Sequence, residues 1–244
     1  GLGGTLLSLR ENANKMILVY VTDGSSSTSH LDQSVLIKKR RDEGNKVGQF
    51  YGFDQVVFLD EKDGDVCSNN DGLVESIIEI IESSMPNRIY TPFLIDGHRD
   101  HLETSKSVIF ACERIGRDID IYGYQINNPI LPELINQVYP MNDEKIMEKD
   151  KAYRIFSSQY VMGFGAFNLI ERRQGEVLIG EYAAEVFVKA SSDKYMLMLK
   201  SLKNSGFYPE EFKQISSEYN LIPALRISRD KKLNYTKKLL EIMG

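Results

Sequence analysis

Two histidines and two aspartates lie close together in the segment Asp96-Gly97-His98-Arg99-Asp100-His101. Imidazole nitrogens are good ligands for zinc and similar metals, and a neighbouring carboxylate can orient an imidazole through a hydrogen bond. The segment directly follows an apolar run, Arg88 to Ile95, that is typical of a strand, and a helical pattern follows it. The alternative is a polar loop that only caps this helix. Because ligands collect beyond the carboxyl ends of parallel strands, we favour a functional site.

A metal site needs three or four ligands, and this segment supplies at most two, His98 and His101. The third histidine of the chain, His30, lies in a serine-rich loop, where we predict a solvated residue with no part in metal binding. Two further polar clusters, Thr22-Asp23-Gly24 and Asp60 to Asp65, each follow a predicted strand. The residues alone therefore predict a site at the strand ends but leave its metal set incomplete.

Strand and helix patterns alternate from Thr5 to Gln125. Apolar, β-rich runs predict four strands, at Met16–Val21, Gln55–Leu59, Arg88–Ile95 and Ile119–Gln125. Helical spacing precedes or follows them, at Thr5–Asn14, Leu31–Tyr51, Asp71–Ser84 and Thr104–Ile115. Strands separated by helices of about ten or more residues are typical of βαβ units. We therefore predict an α/β fold with a Rossmann-like, mostly parallel sheet and helices on both faces.

The remaining sequence is less regular. It predicts a charged helix from Asn142 to Tyr160, and either one or two short strands or a strand and a turn within Glu176–Val188. From Asp193 onward the spacing is helical, including a helix opened by Pro209. We accordingly predict one domain over residues 1–190 and a helical C-terminal extension over residues 191–244.

Composition excludes several classes of protein. The 244 residues contain 30 Lys and Arg against 35 Asp and Glu, a net charge of −5 that does not suit nucleic-acid binding. No apolar stretch approaches the roughly 20 residues that span a bilayer, so we predict no membrane span. Cys67 and Cys112 lie far apart, which fits a reducing compartment, and we expect a cytoplasmic protein. A homo-oligomer is left open.

Seven short segments carry a family resemblance, in order along the chain. They are Gly1-Leu2-Gly3-Gly4-Thr5-Leu6-Leu7, Met16 to Gly24, Arg40 with Glu43, Asp63-Gly64, Arg88 to His101, Lys149 and Ala152 with Ser158-Gln159, and Glu181 to Phe187. Each alone is weak. Together they resemble the PIG-L/LmbE-like family of zinc-dependent N-deacetylases, which remove acetyl from N-acetylglucosamine-type sugars.

The resemblance implies a zinc-dependent hydrolase whose substrate is a small-molecule amino-sugar conjugate. It implies His101 as a zinc ligand and His98 as a catalytic residue facing the oxyanion or the leaving amine. It also implies Asp100 as a second residue of the catalytic site, one that orients a histidine. Arg40 and Asp63 are implied as substrate-binding residues. Their alternatives are a solvent-facing arginine in a basic run and a simple Asp-Gly turn residue.

The sequence also departs from the family pattern. The family carries a His-Pro-Asp-Asp motif before its glycines, with two zinc ligands and the general base, and this chain begins at Gly1. We expect residues preceding Gly1 to supply that motif and a further strand, giving one zinc ion per chain. Phe156 stands where the family commonly has a histidine. The alternative function is a non-catalytic sugar- or nucleotide-binding protein of the same fold.

Overall fold

The computed structural model describes residues 1–12, 15–26, 31–159 and 163–244, so His30 lies outside the described residues. These residues form eight α-helices: α1 (Gly3–Asn12), α2 (Gln33–Tyr51), α3 (Asp71–Ser84), α4 (Arg99–Ile115), α5 (Asp143–Ile155), α6 (Phe164–Ile179), α7 (Ser192–Asn204) and α8 (Leu221–Met243). They also form six strands: β1 (Ile17–Thr22), β2 (Gln55–Glu61), β3 (Arg88–Pro92), β4 (Asp120–Tyr124), β5 (Gln137–Met141) and β6 (Ala183–Ser191). Short 3-10 helices occupy Pro132–Leu134, Ser157–Gln159, Pro209–Glu211 and Glu218–Asn220.

The chain divides into two compact units. The first contains Gly1–Val66 and Tyr139–Glu185, and the second contains Cys67–Val138 and Val186–Gly244. The polypeptide passes between the units after Val66 and again within β5 and β6. No helix among the described residues is both long enough and apolar enough to cross a membrane.

The first unit contains the parallel pair β1 and β2, in which Ile17 lies opposite Gln55. The α2 helix packs close to these strands because two of its residues are glycines. A Cβ atom at Gly48 would lie 2.3 Å from Cγ2 of Val56, and one at Gly44 would lie 2.8 Å from the ring of Tyr20. The absence of these side chains therefore sets the distance between the helix and the sheet.

A buried ion network joins the other elements of the first unit. Nζ of Lys149 in α5 lies 2.6 Å from a carboxylate oxygen of Glu171 in α6 and 2.6 Å from one of Glu185 in β6. Glu185 also accepts hydrogen bonds from the backbone N–H groups of Gly4 and Thr5, at 2.9 and 2.7 Å. Although burial opposes it, the Lys149 ammonium lowers the pKa of Glu185. The network ties the first turn of α1 to β6.

The second unit is built on β3, β4 and β6. Strands β3 and β4 run parallel, whereas β6 runs antiparallel to β4, with Asp120 opposite Ser191. The hydroxyl of Tyr195 in α7 lies beside these strands, accepting from the N–H of Gly123 at 2.9 Å and donating to the carbonyl of Val188 at 2.6 Å. Tyr195 is fully buried, so burial raises the pKa of its phenol.

The structure confirms an α/β fold, but the sheet prediction needs correction. In the described residues the strands form two sheets, one of order β1-β2 and one of order β3-β4-β6-β5, and the second is mixed. Most residues of β6 are apolar, and most of them are buried. Because such a run is typical of a strand covered on both faces, in either direction, its sequence does not reveal that it is antiparallel.

In the second half, a strand within Glu176–Val188 is confirmed, since β6 begins at Ala183. Residues 176–179 instead belong to the end of helix α6, which terminates at Gly180 in the left-handed conformation. The helix predicted to open at Pro209 is wrong. The segment after Pro209 forms only short 3-10 turns and no continuous helix. The predicted boundary near residue 190 falls at the end of β6, and α7 follows at Ser192 without an intervening loop.

Candidate functional site

The predicted histidine segment follows β3 in the second unit and continues into the first turn of α4, which begins at Arg99 and not at the predicted Thr104. His98 is the N-cap of α4, and its Nδ1 accepts a hydrogen bond from the backbone N–H of Asp100 at 3.2 Å. The backbone N–H of His98 donates to Oδ1 of Asp96 at 2.9 Å. The segment therefore does cap the helix, because the His98 side chain satisfies one of the free N–H groups of the first helical turn.

Asp96 connects the two histidines. Its Oδ1 lies 2.8 Å from Nδ1 of His101, and its Oδ2 accepts from the backbone N–H of Asn127 at 2.9 Å. Its side chain is 3% exposed. An ionised carboxylate only accepts, so the proton of a neutral His101 ring is assigned to Nδ1, leaving a lone pair on Nε2. Metal-binding histidines are commonly oriented in this way by a carboxylate.

The two imidazoles differ in their assigned protonation. Nδ1 of His98 is an acceptor, so a neutral His98 ring carries its proton on Nε2 and can donate there. The rings of His98 and His101 stack at 4.7 Å between centroids with an angle of 28° between their planes. One ring thus offers a hydrogen-bond donor beside another ring that offers a lone pair.

Asp100 is buried in the first turn of α4. Its backbone N–H donates to His98, whereas the carboxylate in contact with His101 is that of Asp96. The role of Asp100 in orienting a histidine stays a prediction. From the sequence, Asp96 is recognised only as a member of the polar cluster, and its contact with His101 is not predicted. The pattern that could have indicated it is an Asp-Gly pair at the end of an apolar run, five residues before a histidine.

Arg40 lies on α2 in the first unit and is half-buried. With the Gln159 amide oriented so that its oxygen faces the guanidinium, that oxygen lies 2.6 and 3.2 Å from the two terminal nitrogens of Arg40. Glu43, one turn along α2, accepts from the backbone N–H and the hydroxyl of Ser158, at 2.9 and 2.5 Å. Burial lowers the pKa of Arg40, while Glu43 and Asp63 act in the opposite direction. Arg40 and Glu43, one helical turn apart on α2, thus fix the Ser158-Gln159 segment through these contacts.

Asp63 lies in the loop after β2 and is tied to the loop after β1. Its Oδ2 accepts from the N–H of Ser26 at 3.1 Å, and its own N–H donates to Oδ1 of Asp23 at 3.1 Å. Asp23 also accepts from the N–H of Ser25 at 2.9 Å. Despite the opposing effect of burial, these hydrogen bonds lower the pKa of Asp23. The two loops are therefore held together at the carboxyl ends of adjacent strands.

The structure brings His98, Asp100 and His101 together in the second unit, and Arg40 and Asp63 in the first. Among the described residues, no group of three or more His, Cys, Asp or Glu side chains is arranged to hold a metal ion. His101, with Asp96 behind its ring, has the form of one metal ligand with its supporting carboxylate. The described residues therefore fit part of a zinc site.

The fold is shared with several solved structures. N,N'-diacetylchitobiose deacetylase from Pyrococcus horikoshii, solved with its inhibitor MPG, is 20% identical with a TM-score of 0.66, over 80% of each chain. A conserved protein from Thermus thermophilus is 22% identical with a TM-score of 0.63, over 77% of this chain and 87% of that one. GalB, the 4-carboxy-2-hydroxymuconate hydratase from Pseudomonas putida, is 16% identical with a TM-score of 0.62, over 77% and 89%.

At these identities the likeness shows the fold alone, and a deacetylase and a hydratase both have it. A family comparison is more specific. Residues 1–112 match the model of the family described as PIG-L: GlcNAc-PI de-N-acetylase, which confirms the resemblance predicted from the motifs. The matched range includes the whole histidine segment, together with Arg40 and Asp63.

Proposed function

We propose that this chain is a zinc-dependent N-deacetylase that hydrolyses the acetamide of an N-acetylglucosamine-type sugar conjugate. The observation that carries the proposal is the pair of stacked imidazoles with opposite assigned tautomers. Asp96 accepts from both of these residues, from the backbone of His98 and from the ring of His101. The family match over residues 1–112 supports the substrate class.

The reaction converts the acetamide and one water molecule into acetate and a free amine. The water oxygen bonds to the carbonyl carbon and the C–N bond breaks. Of the two protons of the water, one ends on the departing amine nitrogen and the other is released as the acid product ionises to acetate. The assigned Nε2–H of His98 is suited to donate to the carbonyl oxygen as it becomes negatively charged, or to protonate the departing nitrogen. Asp100, buried in the helical turn that His98 caps, is proposed to help hold a histidine in place.

His101 is proposed as a metal ligand through Nε2, with Asp96 fixing the ring. Zinc, when bound, would lower the pKa of a coordinated water to about 7. The proposal needs further ligands beyond His101, because a catalytic zinc is held by three protein ligands and an open position for water. The choice of zinc is supported by the preference of imidazole for this metal.

Arg40 and Asp63 are proposed to bind polar groups of the substrate. Asp63 lies in the loop after β2, and Arg40 lies beside the loop after β1, where a Cβ atom at Gly24 would be 3.2 Å from its Cγ. Ligands bind at such strand ends in α/β proteins. Both residues also make structural contacts, Arg40 with Gln159 and Asp63 with Ser26. Their substitution is therefore expected to affect both binding and the order of these loops.

The proposal is tested by measuring zinc content and acetate release in three variants of the full-length protein. We expect His101→Ala to lose tight zinc retention, and His98→Ala to keep zinc but lose about 10²-fold or more in turnover, as for loss of a general acid. His30→Ala is the matched control and should retain both. Full zinc occupancy in His101→Ala would remove its ligand role.

The alternative is a sugar- or nucleotide-binding protein without catalysis. It predicts binding of an N-acetylglucosamine conjugate, measured by calorimetry, with no acetate released over long incubation. A cytoplasmic location is also part of the proposal, supported by Cys67 and Cys112, which are both unpaired thiols in the structure.

A further inference from the structure

A segment near the C-terminus, Phe212 to Ile215, packs against the histidine loop within the second unit. The backbone N–H of Ile215 donates to the carbonyl of Asn127 at 3.0 Å. Nε2 of Gln214 donates to the carbonyl of Gly97 at 2.8 Å. The N–H of Asn127 in turn donates to Asp96, the carboxylate that contacts the ring of His101. The C-terminal segment is therefore linked to His101 through Asn127 and Asp96.

Gly97 shows how closely this segment approaches the loop. A Cβ atom there would lie 2.8 Å from Oδ1 of Asn128, 3.0 Å from Cγ of Gln214 and 3.0 Å from the carbonyl oxygen of Phe212. Contacts this short, one of them to backbone, leave no room for a side chain. The loop between Asp96 and His98 is thus enclosed on this side by residues of the C-terminal segment.

A buried lysine of α8 supports the same region. Nζ of Lys232 donates to the carbonyl of Pro129 at 2.8 Å, and the residue is 4% exposed. Burial lowers the pKa of Lys232 to about 8, while the nearby charge of Asp96 acts in the opposite direction. Burial of an ammonium group raises the free energy of the folded state unless the group is hydrogen-bonded or paired. The hydrogen bond from Lys232 to Pro129 therefore matters for this region.

We propose that Lys232 and Gln214 are positioning residues for His98 and His101, acting through the loops at Asp96–His98 and Asn127–Pro129. The two positioning residues lie outside the range that matches the family, so the family pattern does not assign them. The inference rests on the proposed function only for the chemical roles of His98 and His101. The positioning itself is measurable without any reaction.

The test is the tautomeric state of the histidine rings, measured by long-range ¹H–¹⁵N correlation on the full-length protein at fixed pH. The chain has three histidines, so His30→Gln in every sample simplifies assignment. We expect Nδ1–H for His101 and Nε2–H for His98 in the parent protein. In Lys232→Met, the Nδ1 and Nε2 resonances of His101 should move toward each other as the two tautomers interconvert.

Lys237→Met is the matched control, because Lys237 is an exposed residue of the same helix. Gln214→Ala is the second variant, and it decides the question if Lys232→Met fails to fold, because Gln214 is exposed. Unchanged His101 resonances in the folded variants, or other tautomers in the parent protein, would overturn the inference. A tautomer change in an enzymatically inactive chain would support positioning while contradicting the proposed function.

Discussion

The Asp96 carboxylate accepts hydrogen bonds from three donors. Its two oxygens accept from the backbone of His98, the ring of His101 and the backbone of Asn127. A carboxylate suits this position because it has acceptors on both oxygens and no donor. An amide of the same shape has an acceptor on one side only.

We therefore expect Asp96→Asn to lower the free energy of unfolding by about 1–3 kcal/mol, because a buried donor loses its acceptor. The N–H of Asn127, or the ring and backbone of the histidines, would face an NH₂ group. Urea denaturation measures the loss. Asp42→Asn, at an exposed position of α2, is the control and should change stability little.

Glu103 gives a prediction for acid pH. Its Oε2 accepts from the N–H and the hydroxyl of Ser68, at 2.8 and 2.6 Å, and its Oε1 from Lys106 at 2.7 Å. Burial opposes ionisation, but these bonds outweigh it and lower the pKa below the ordinary 4.5. A carboxyl with a lowered folded pKa stabilises the protein above its unfolded pKa, and this contribution is lost as pH falls through the folded value.

Glu103→Gln should consequently destabilise the protein at neutral pH, and the difference from the parent should shrink as the pH drops below about 4.5. Thermal unfolding across that range measures the difference. Glu79→Gln, exposed on α3, should show no such convergence. A difference that stays constant with pH would contradict the assigned hydrogen bonds.

At the scale of elements, glycines in α2 control how the helix packs. Gly48→Ala places a methyl group 2.3 Å from Cγ2 of Val56. We expect a loss of about 1–3 kcal/mol from overpacking, despite the better helix propensity of alanine.

The control is a double-mutant cycle with Val56→Ala, which removes the clashing atom. In that background Gly48→Ala should be neutral or stabilising by up to about 1 kcal/mol. Equal losses in both backgrounds, measured by urea denaturation, would show that the clash is not the cause.

The elements of the first half could be predicted closely because their periodicity is clear. Helix α3 has the predicted bounds, Asp71–Ser84, and the side chain of its N-cap, Asn70, accepts from the N–H of Gly72. The second half was harder. The apolar run in residues 177–179 looks like a strand, but it closes a helix whose Gly175 lies against the backbone of Ala183. Tertiary packing of that kind has no local signature.

At the scale of the whole molecule, Lys149 and its two carboxylates join four distant parts of the sequence in the first unit. The motifs of the family resemblance include Lys149 and Glu185, but their spacing does not predict that the two residues meet. The two carboxylates differ, since burial raises the pKa of Glu171, whereas the ammonium and other contacts lower that of Glu185. Removal of the lysine leaves both carboxylates buried without their counter-ion.

Lys149→Met should therefore cost about 3–5 kcal/mol of unfolding free energy, as for other broken buried ion pairs. Lys151→Met is the control, because its ion pair with Glu148 is exposed and worth about 0–1 kcal/mol. Urea denaturation compares the two. A similar small loss in both variants would show that the buried network contributes little to stability.

Because Tyr195 is buried, the ultraviolet absorbance of its phenol reports on unfolding. The chain has 13 tyrosines and no tryptophan, so its near-ultraviolet absorbance is dominated by phenols. Burial raises the pKa of Tyr195 above the ordinary 10.0 in the folded state, so its phenolate forms freely only after unfolding. The stabilisation from this difference is complete below pH 10 and is lost as pH rises toward the folded pKa. Burial also raises the pKa of Tyr51 and Tyr153 in the first unit. In alkaline solution, a delayed rise in phenolate absorbance would therefore record the unfolding of the protein in real time, without any added dye.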